Sequence, residues 1–215
     1  MRCLLLLAPV LLLSAQTPAS APVHKKGPPE RKPSAMVQNY KETGSPSASI
    51  VIEEYADYEC PHCAVTYRDL LPQIINEYVK TGKARLLHRD FPLPMHQFAR
   101  QAAMLADAAG ELGFYEVASA QIFKTQAEWS QNGNIEIQLA KVLPPGDMQK
   151  VREMVKSNPR LEESISKDVA MGQNVDRIEQ TPTLVIVKNG VRQPIAPIPP
   201  FPVLKSFIDQ TLAKK

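Results

Sequence analysis

The sequence is poor in cysteine, in glycine and in charge of one sign. Its 215 residues include 3 cysteines and 9 glycines, and 25 basic against 22 acidic side chains leave a net charge of +3. Because this bias is weak and no long basic run occurs, the composition gives no support to nucleic-acid binding. The hydrophobic fraction of 44% argues against both a multi-span membrane protein and a wholly disordered chain. The length fits one domain, or one core with a sizeable insertion.

The N-terminus has the pattern of a secretory signal peptide over residues 1–21. A positive start is followed by an apolar run from Cys3 to Leu13 and then by the small residues Ala19 to Ala21. The run is too short to remain as a membrane-spanning helix. Cleavage after residue 15, 19 or 21 stays open, and Cys3 lies on the wrong side of the run for a lipid anchor. The sequence therefore predicts a bacterial protein that is periplasmic or secreted.

The remaining chain divides into a leader and a folded domain. Residues 22–43 are predicted to be a flexible, basic, proline-rich leader, because the stretch HKKGPPERKP has no apolar periodicity. Residues 44–215 are predicted to fold as one α/β domain with a helical insertion at about 96–178. The strand signals are 49–55, 84–91, Thr183–Lys188 and Val191–Ile195, and helices are expected from Cys60 to near Gly82, with a kink at Pro72, and over 203–212.

Removal of the signal peptide leaves two cysteines, both in the tetrapeptide Cys60-Pro61-His62-Cys63. A disulfide that closes so short a loop gains little loop-closure entropy, so a structural cross-link is a poor explanation. The pair follows a strand and opens a helix, where free backbone N–H groups and the helix dipole stabilise a thiolate. We therefore expect a redox-active disulfide in which Cys60 attacks and Cys63 resolves.

The two residues between the cysteines suit this chemistry. Pro61 falls in the first helical turn, where its missing N–H costs nothing. His62 is expected to bring a hydrogen-bond donor or a positive charge to the Cys60 sulfur. Stabilising the reduced thiolate in this way makes the disulfide a strong oxidant.

A metal site is the competing interpretation of the two cysteines, since zinc and copper(I) bind the same motif. Histidines occur elsewhere, at His24, His88 and His96. A structural zinc needs four ligands, however, and the sequence has no second Cys-x-x-Cys and no close pair of histidines. We therefore predict no metal and no cofactor. Tyr55 and Trp129 are interpreted as packing residues.

Three segments together resemble the DsbA-type thiol:disulfide oxidoreductases. They are EYADYECPHC, DFPLPMHQFARQAA and QTPTLVIVKNG, and the resemblance runs from about Gly44 to the C-terminus. It implies a thioredoxin fold with an inserted helical subdomain.

The resemblance also implies roles for individual residues. Thr181-Pro182 matches the family's cis-proline, which offers backbone groups to an extended substrate peptide. Glu54 matches a buried acid behind the resolving cysteine that relays its proton. The alternative is that Glu53 points inward instead, because side chains alternate along a strand. The lysine that some relatives place beside the acid is replaced by Leu86, and Arg85 or His88 could substitute for it.

These observations favour an oxidase that forms disulfides in reduced secreted proteins. The resemblance implies re-oxidation by a quinone-linked membrane partner of the DsbB or vitamin K epoxide reductase type. A disulfide isomerase or reductase of the same fold is the enzymatic alternative. It is disfavoured because the residues before Gly44 are too few and too polar for a dimerisation domain. A metal-binding or chaperone-like module is the alternative from another class.

Overall fold

The computed structural model describes residues 39–214. The predicted signal peptide at 1–21, residues 22–38 of the leader, and with them Cys3 and His24, lie outside this range. In the described part, five strands form one sheet. Their bounds are β1 Glu42–Gly44, β2 Ile50–Ala56, β3 Ala84–Asp90, β4 Thr183–Lys188 and β5 Val191–Ile195.

The sheet has the order β1-β3-β2-β4-β5. Strands β2 and β3 are parallel, and the other neighbours are antiparallel. The β4–β5 hairpin has the predicted bounds, since Asn189 and Gly190 adopt φ angles of 50° and 77° in its turn. The two strand predictions 49–55 and 84–91 are each confirmed to within one residue at either end.

The predicted boundary of the leader at residue 43 is wrong, because β1 begins at Glu42 and pairs with β3. Before it, Lys41 is 7% exposed and fully part of the folded domain. Gly44 ends the strand with a φ of 114°, and a Cβ there would come within 3.0 Å of the Ala84 carbonyl oxygen. This close approach requires a glycine at that position.

Helices cover both faces of the sheet and form the insertion. Nine α-helices and three π-helical turns lie in the described chain. The helices are α1 Pro61–Val65, α2 Leu71–Ile74, α3 Ala99–Glu111, α4 Tyr115–Lys124, α5 Gln126–Trp129, α6 Ile135–Leu139, α7 Pro145–Ser157, α8 Pro159–Met171 and α9 Phe201–Ala213, and the π-turns are Thr66–Leu70, Ile75–Val79 and Gly172–Asp176. None of these helices is both long and apolar enough to cross a bilayer.

The predicted helical insertion is confirmed, with six helices where four or five were expected. Its core is continuous with the environment of the two cysteines, because Cys60 and Cys63 belong to the same buried cluster as Trp129. Trp129 is fully buried and donates its indole N–H to the Ile122 carbonyl over 2.8 Å, which confirms its packing role. The insertion therefore packs directly against the redox motif.

The two faces of β2 are both buried, which corrects the expectation that only one of Glu53 and Glu54 points inward. Ile52 lies in a cluster with α2 and α9, whereas Tyr55 lies in a second cluster beside α8. Glu54 shares the face of Ile52, and Glu53 shares the face of Tyr55. Because helices cover the sheet on both sides, the two carboxylates are 1% and 4% exposed.

Candidate active site

The redox motif opens α1, the helix that directly follows β2 and a short loop. Cys60 is the residue before the first helical turn, with φ −74° and ψ 121°, and Pro61 is the first helical residue as predicted. The Cys60 N–H donates to the Asp57 carbonyl over 3.1 Å, which closes the loop before the helix. Both cysteines are free thiols. Cys60 is 5% exposed, and Cys63 is fully buried.

The environment of Cys60 favours its thiolate. Hydrogen bonds from the Cys63 thiol, from Thr181 and from the backbone N–H groups of Cys63 and His62 outweigh the cost of burial and lower the pKa of Cys60 to about 5. An ordinary cysteine has a pKa of about 8.5. Cys60 is therefore ionised at neutral pH in the reduced protein.

The environment of Cys63 has the opposite effect. Burial raises the pKa of Cys63 far above its ordinary value, and the neighbouring Cys60 raises it further. The Asp57 backbone N–H donates to Cys63 Sγ over 3.4 Å and partly offsets this rise. The reduced pair thus consists of a Cys60 thiolate and a protonated Cys63 thiol, and the predicted roles of attacking and resolving sulfur stay predictions.

His62 contributes its backbone N–H to the environment of the Cys60 sulfur. The residue is exposed on the first turn of α1. The group of His62 that lowers the pKa of Cys60 is its backbone N–H, a property of the helix start. The predicted contribution of the imidazole stays a prediction.

The loop before β4 brings a cis-proline to the cysteines. The Thr181-Pro182 bond is cis, as the sequence predicts, and Cys60 Sγ lies 3.5 Å from the Thr181 carbonyl oxygen. A second cis bond, Ala196-Pro197, was not predicted.

Glu54 lies behind the motif on β2, paired with a histidine. Its register partner on β3 is His88, and the His88 Nδ1 atom is 3.3 Å from Glu54 Oε2. Burial lowers the pKa of His88, but hydrogen bonds to Asp90 and Glu54 outweigh burial and raise it to about 10. A cationic His88 therefore accompanies Glu54, and Leu86, at the position of the family's lysine, lines the cavity beside them.

This cavity of about 150 Å³ separates β2 and β3 from the insertion. Glu54 and His88 line it from the sheet, Tyr67 lines it from the active-site helix, and Tyr115 and Ser119 line it from α4. Sequence reasoning gave no signal for it, because its walls come from five separate segments. Glu54 and His88 are thus charged or polar groups at the wall of a mostly apolar cavity.

A buried charge cluster continues from His88 towards the N-terminal strand. His88 Nε2 lies 3.4 Å from Asp90 Oδ1, and Asp90 is also paired with Lys41. The Lys41 ammonium lies 2.9 Å from Asp107 on α3 and 3.2 Å from Asp168 on α8. Sequence reasoning missed Lys41 because it was assigned to the leader.

One side chain of the insertion holds the backbone of the motif. Gln126 Nε2 on α5 donates to the Tyr58 carbonyl over 2.7 Å and to the Cys60 carbonyl over 3.0 Å. The insertion thus contributes to the position of Cys60 directly. Over residues 39–214, no group of three or more His, Cys, Asp or Glu side chains could hold a metal ion.

Comparisons with known proteins agree with this geometry. Residues 38–198 match the family model described as Thioredoxin. A Bacillus cereus protein named Probable disulfide bond formation protein D is 25% identical over 181 residues, which is 80% of this chain and 78% of the relative. Pseudomonas aeruginosa DsbA2 is 26% identical with a TM-score of 0.63, over 85% of this chain and 97% of that one.

The structure of Wolbachia pipientis alpha-DsbA1 is similar in fold, with a TM-score of 0.66 at 22% identity, over 80% of this chain and 90% of that one. Its match extends through the helical insertion as well as the sheet, since 80% of this chain is covered. The chain therefore belongs to the thioredoxin family, and its fold and similar proteins confirm the predicted resemblance to the DsbA-type thiol:disulfide oxidoreductases.

Proposed function

We propose that this protein is a dithiol oxidase that introduces disulfides into substrate proteins. The oxidising direction is supported by the opposite pKa shifts of the two thiols: the pKa of Cys60 is lowered to about 5, and the pKa of Cys63 is raised. A stabilised Cys60 thiolate favours the reduced pair, so the Cys60–Cys63 disulfide is a strong oxidant.

The reaction is a pair of thiol–disulfide exchanges. A substrate thiolate attacks Cys60 Sγ, the Cys60–Cys63 bond breaks, and its electron pair leaves on Cys63 Sγ. A second substrate thiolate then attacks the substrate sulfur of the mixed disulfide and expels the Cys60 thiolate. The substrate dithiol loses two electrons and two protons; one proton ends on Cys63 and the other in solvent, because Cys60 stays ionised.

The loop at Thr181-Pro182 is the proposed site for the substrate backbone. The Thr181 carbonyl lies 3.5 Å from Cys60 Sγ, and so an extended peptide paired with this loop would bring its own cysteine to the reactive sulfur. Such pairing recognises backbone rather than particular side chains. It therefore suits an enzyme that oxidises many reduced proteins.

Glu54 is the proposed proton acceptor and donor for Cys63. It is 1% exposed, lies on the face of β2 that the active-site helix covers, and shares an enclosed cavity with the cationic His88. An acid–base group at this place can return a proton to the Cys63 thiolate without opening the site to solvent.

The proposed compartment is the periplasm or the cell exterior, because a stable oxidant of this kind works in an oxidising compartment. Continued turnover then needs re-oxidation of the reduced pair. We propose a quinone-linked membrane partner for this step, of the DsbB or vitamin K epoxide reductase type.

The experiment that tests the direction is the equilibrium of the Cys60–Cys63 pair with a glutathione buffer. An oxidase requires a potential well above the glutathione couple. A potential near or below about −270 mV, the value of thioredoxin, would contradict the proposal and indicate a reductase. A second assay with substoichiometric protein and a reduced substrate should show many turnovers per molecule, whereas a binding module saturates at one.

A further inference from the structure

Asp57 holds the backbone before the redox motif against both cysteines. It lies three residues ahead of Cys60 in the loop after β2 and is 1% exposed. Its carbonyl oxygen accepts the Cys60 N–H over 3.1 Å, and its own N–H donates to Cys63 Sγ over 3.4 Å. One peptide segment is therefore bonded to the nucleophile and to the resolving sulfur at once.

The Asp57 carboxylate is fixed by three N–H donors. Oδ1 accepts the Glu59 N–H over 2.7 Å, the local turn that an aspartate commonly makes two residues ahead. Oδ2 accepts the Leu93 N–H over 2.7 Å and lies 2.8 Å from His96 Nδ1. Leu93 and His96 lie 36 and 39 residues further along the chain. The Asp57 carboxylate therefore binds a distant segment in addition to its own turn.

During oxidation of a substrate, the Asp57 N–H can stabilise the charge that develops on Cys63 Sγ. When a thiolate attacks Cys60, negative charge develops on Cys63 Sγ, which is fully buried. A buried thiolate is costly unless donors already point at it. A backbone N–H held at the sulfur before reaction stabilises the developing charge, as the donors of an oxyanion hole do.

We propose that the Asp57 N–H stabilises the departing Cys63 thiolate, and that Asp57 and His96 are the positioning pair that holds this N–H at the sulfur. The carboxylate anchors the peptide unit, and His96 together with the Leu93 N–H anchors the carboxylate. This inference rests on the proposed function, since it requires the Cys60–Cys63 disulfide to exchange with thiols.

The primary test is the rate at which reduced glutathione cleaves the disulfide in the oxidised full chain. Asp57→Asn keeps the size of the side chain but replaces the carboxylate whose Oδ2 accepts hydrogen bonds from the Leu93 N–H and from His96. Loss of one charge-assisted hydrogen-bond arrangement is expected to slow cleavage by about tenfold or more. Asp69→Asn is the matched control, because Asp69 is an exposed aspartate beyond α1 whose carboxylate binds Arg68 and not the loop before the motif. The control should keep the wild-type rate.

Two variants of His96 test the proposal even if Asp57→Asn fails to fold. His96→Asn keeps a side-chain N–H near the position of Nδ1, whereas His96→Leu removes it. The first should exchange at close to the wild-type rate, and the second about threefold or more slowly, since one of the three donors is lost. Equal rates for the two variants would contradict the positioning role of His96.

A second readout separates this role from general loosening of the loop. In a Cys63→Ala background the departing thiolate is absent, so Asp57→Asn should leave the ultraviolet titration of the Cys60 thiolate unchanged. A shifted titration in the Cys63→Ala background would mean that Asp57 acts on the whole loop rather than on Cys63. A wild-type cleavage rate for Asp57→Asn alone would overturn the inference directly. If the unmodified protein itself exchanges no thiols, the proposed function fails instead, and the two failures are distinguishable.

Discussion

At the scale of single residues, the two cysteines occupy one helical turn but have opposite protonation. Cys60 receives the backbone N–H groups of the helix start, whereas Cys63 is enclosed by the core of the insertion. The difference comes from position on the helix, because both residues have the same side chain. In the proposed reaction, this difference determines which sulfur is attacked and which one leaves.

Substitution of each cysteine should stop the reaction at a different step. Cys60→Ser removes the reactive sulfur and should abolish turnover, because the buried Cys63 cannot be reached. Cys63→Ala should instead trap a mixed disulfide between Cys60 and the substrate, visible on a non-reducing gel. Full oxidase turnover by Cys60→Ser would contradict the assignment of the nucleophile.

The lowered pKa of Cys60 should appear in the stability of the reduced protein. A group whose folded pKa is depressed stabilises the fold above its unfolded pKa, and this contribution is lost as pH falls through the folded value. The Tm of the reduced form relative to the oxidised form should therefore fall from about pH 8.5 to about pH 5 and then level off. The Tm of Cys60→Ser relative to that of the oxidised wild type should lack this trend, and a pH-independent difference between the two wild-type forms would contradict it.

At the scale of elements, β1 is joined to the domain by a buried lysine. Lys41 precedes the strand and contacts one carboxylate each from β3, α3 and α8. Their charges outweigh burial and raise the pKa of Lys41. Without the Lys41 ammonium, the buried side chains of Asp90, Asp107 and Asp168 would lose a positive charge that they share. Such a loss is strongly unfavourable in a buried site.

Lys41→Met should therefore destabilise the domain by about 3–5 kcal/mol, measured by urea unfolding. Lys167→Met is the matched control, because Lys167 is an exposed lysine on α8. Its substitution should change the free energy of unfolding by no more than about 0.5 kcal/mol. Equal effects of the two variants would show that the Lys41 cluster contributes no net stability.

The sequence predicted the elements whose signal is local. Strand β2 could be predicted from its β-branched residues, and β4 and β5 from such residues and the Asn189-Gly190 turn. Strand β3 could be predicted from the run that Pro92 ends, and the redox motif from its place at a helix start. Strand β1 could not, because its three residues Glu42–Gly44 carry no apolar pattern. The partners of Asp57 and Lys41 were missed for a related reason: each contact joins segments far apart in the chain, and no local pattern encodes it.

At the scale of the whole molecule, buried charges link the redox site to the periphery of the domain. A path of ion pairs runs from Glu54 through His88 and Asp90 to Lys41. On the other face of the sheet, Glu53 is paired with Arg89 and Arg192. The sheet therefore carries ion pairs on both of its faces. Such buried pairs are sensitive to loss of a single partner.

His88 lies at the centre of the first path and should make stability depend on pH. Its folded pKa is raised to about 10 by its hydrogen bonds to Asp90 and Glu54, which outweigh burial, against about 6.5 unfolded. A raised folded pKa contributes stability that is fully present below the unfolded pKa and is lost as pH rises through the folded value. The oxidised protein should therefore lose stability between about pH 6.5 and pH 10.

Urea unfolding of the oxidised form at several pH values measures this loss without titration of the cysteines. His88→Gln should remove most of the slope and lower the stability at pH 6.5, because Glu54 and Asp90 would lose the cation between them. His62→Gln, at an exposed histidine, should keep the wild-type slope. If His88→Gln keeps the wild-type slope, the pH dependence comes from another group. His88 would then not be a cation in the proposed environment of Glu54.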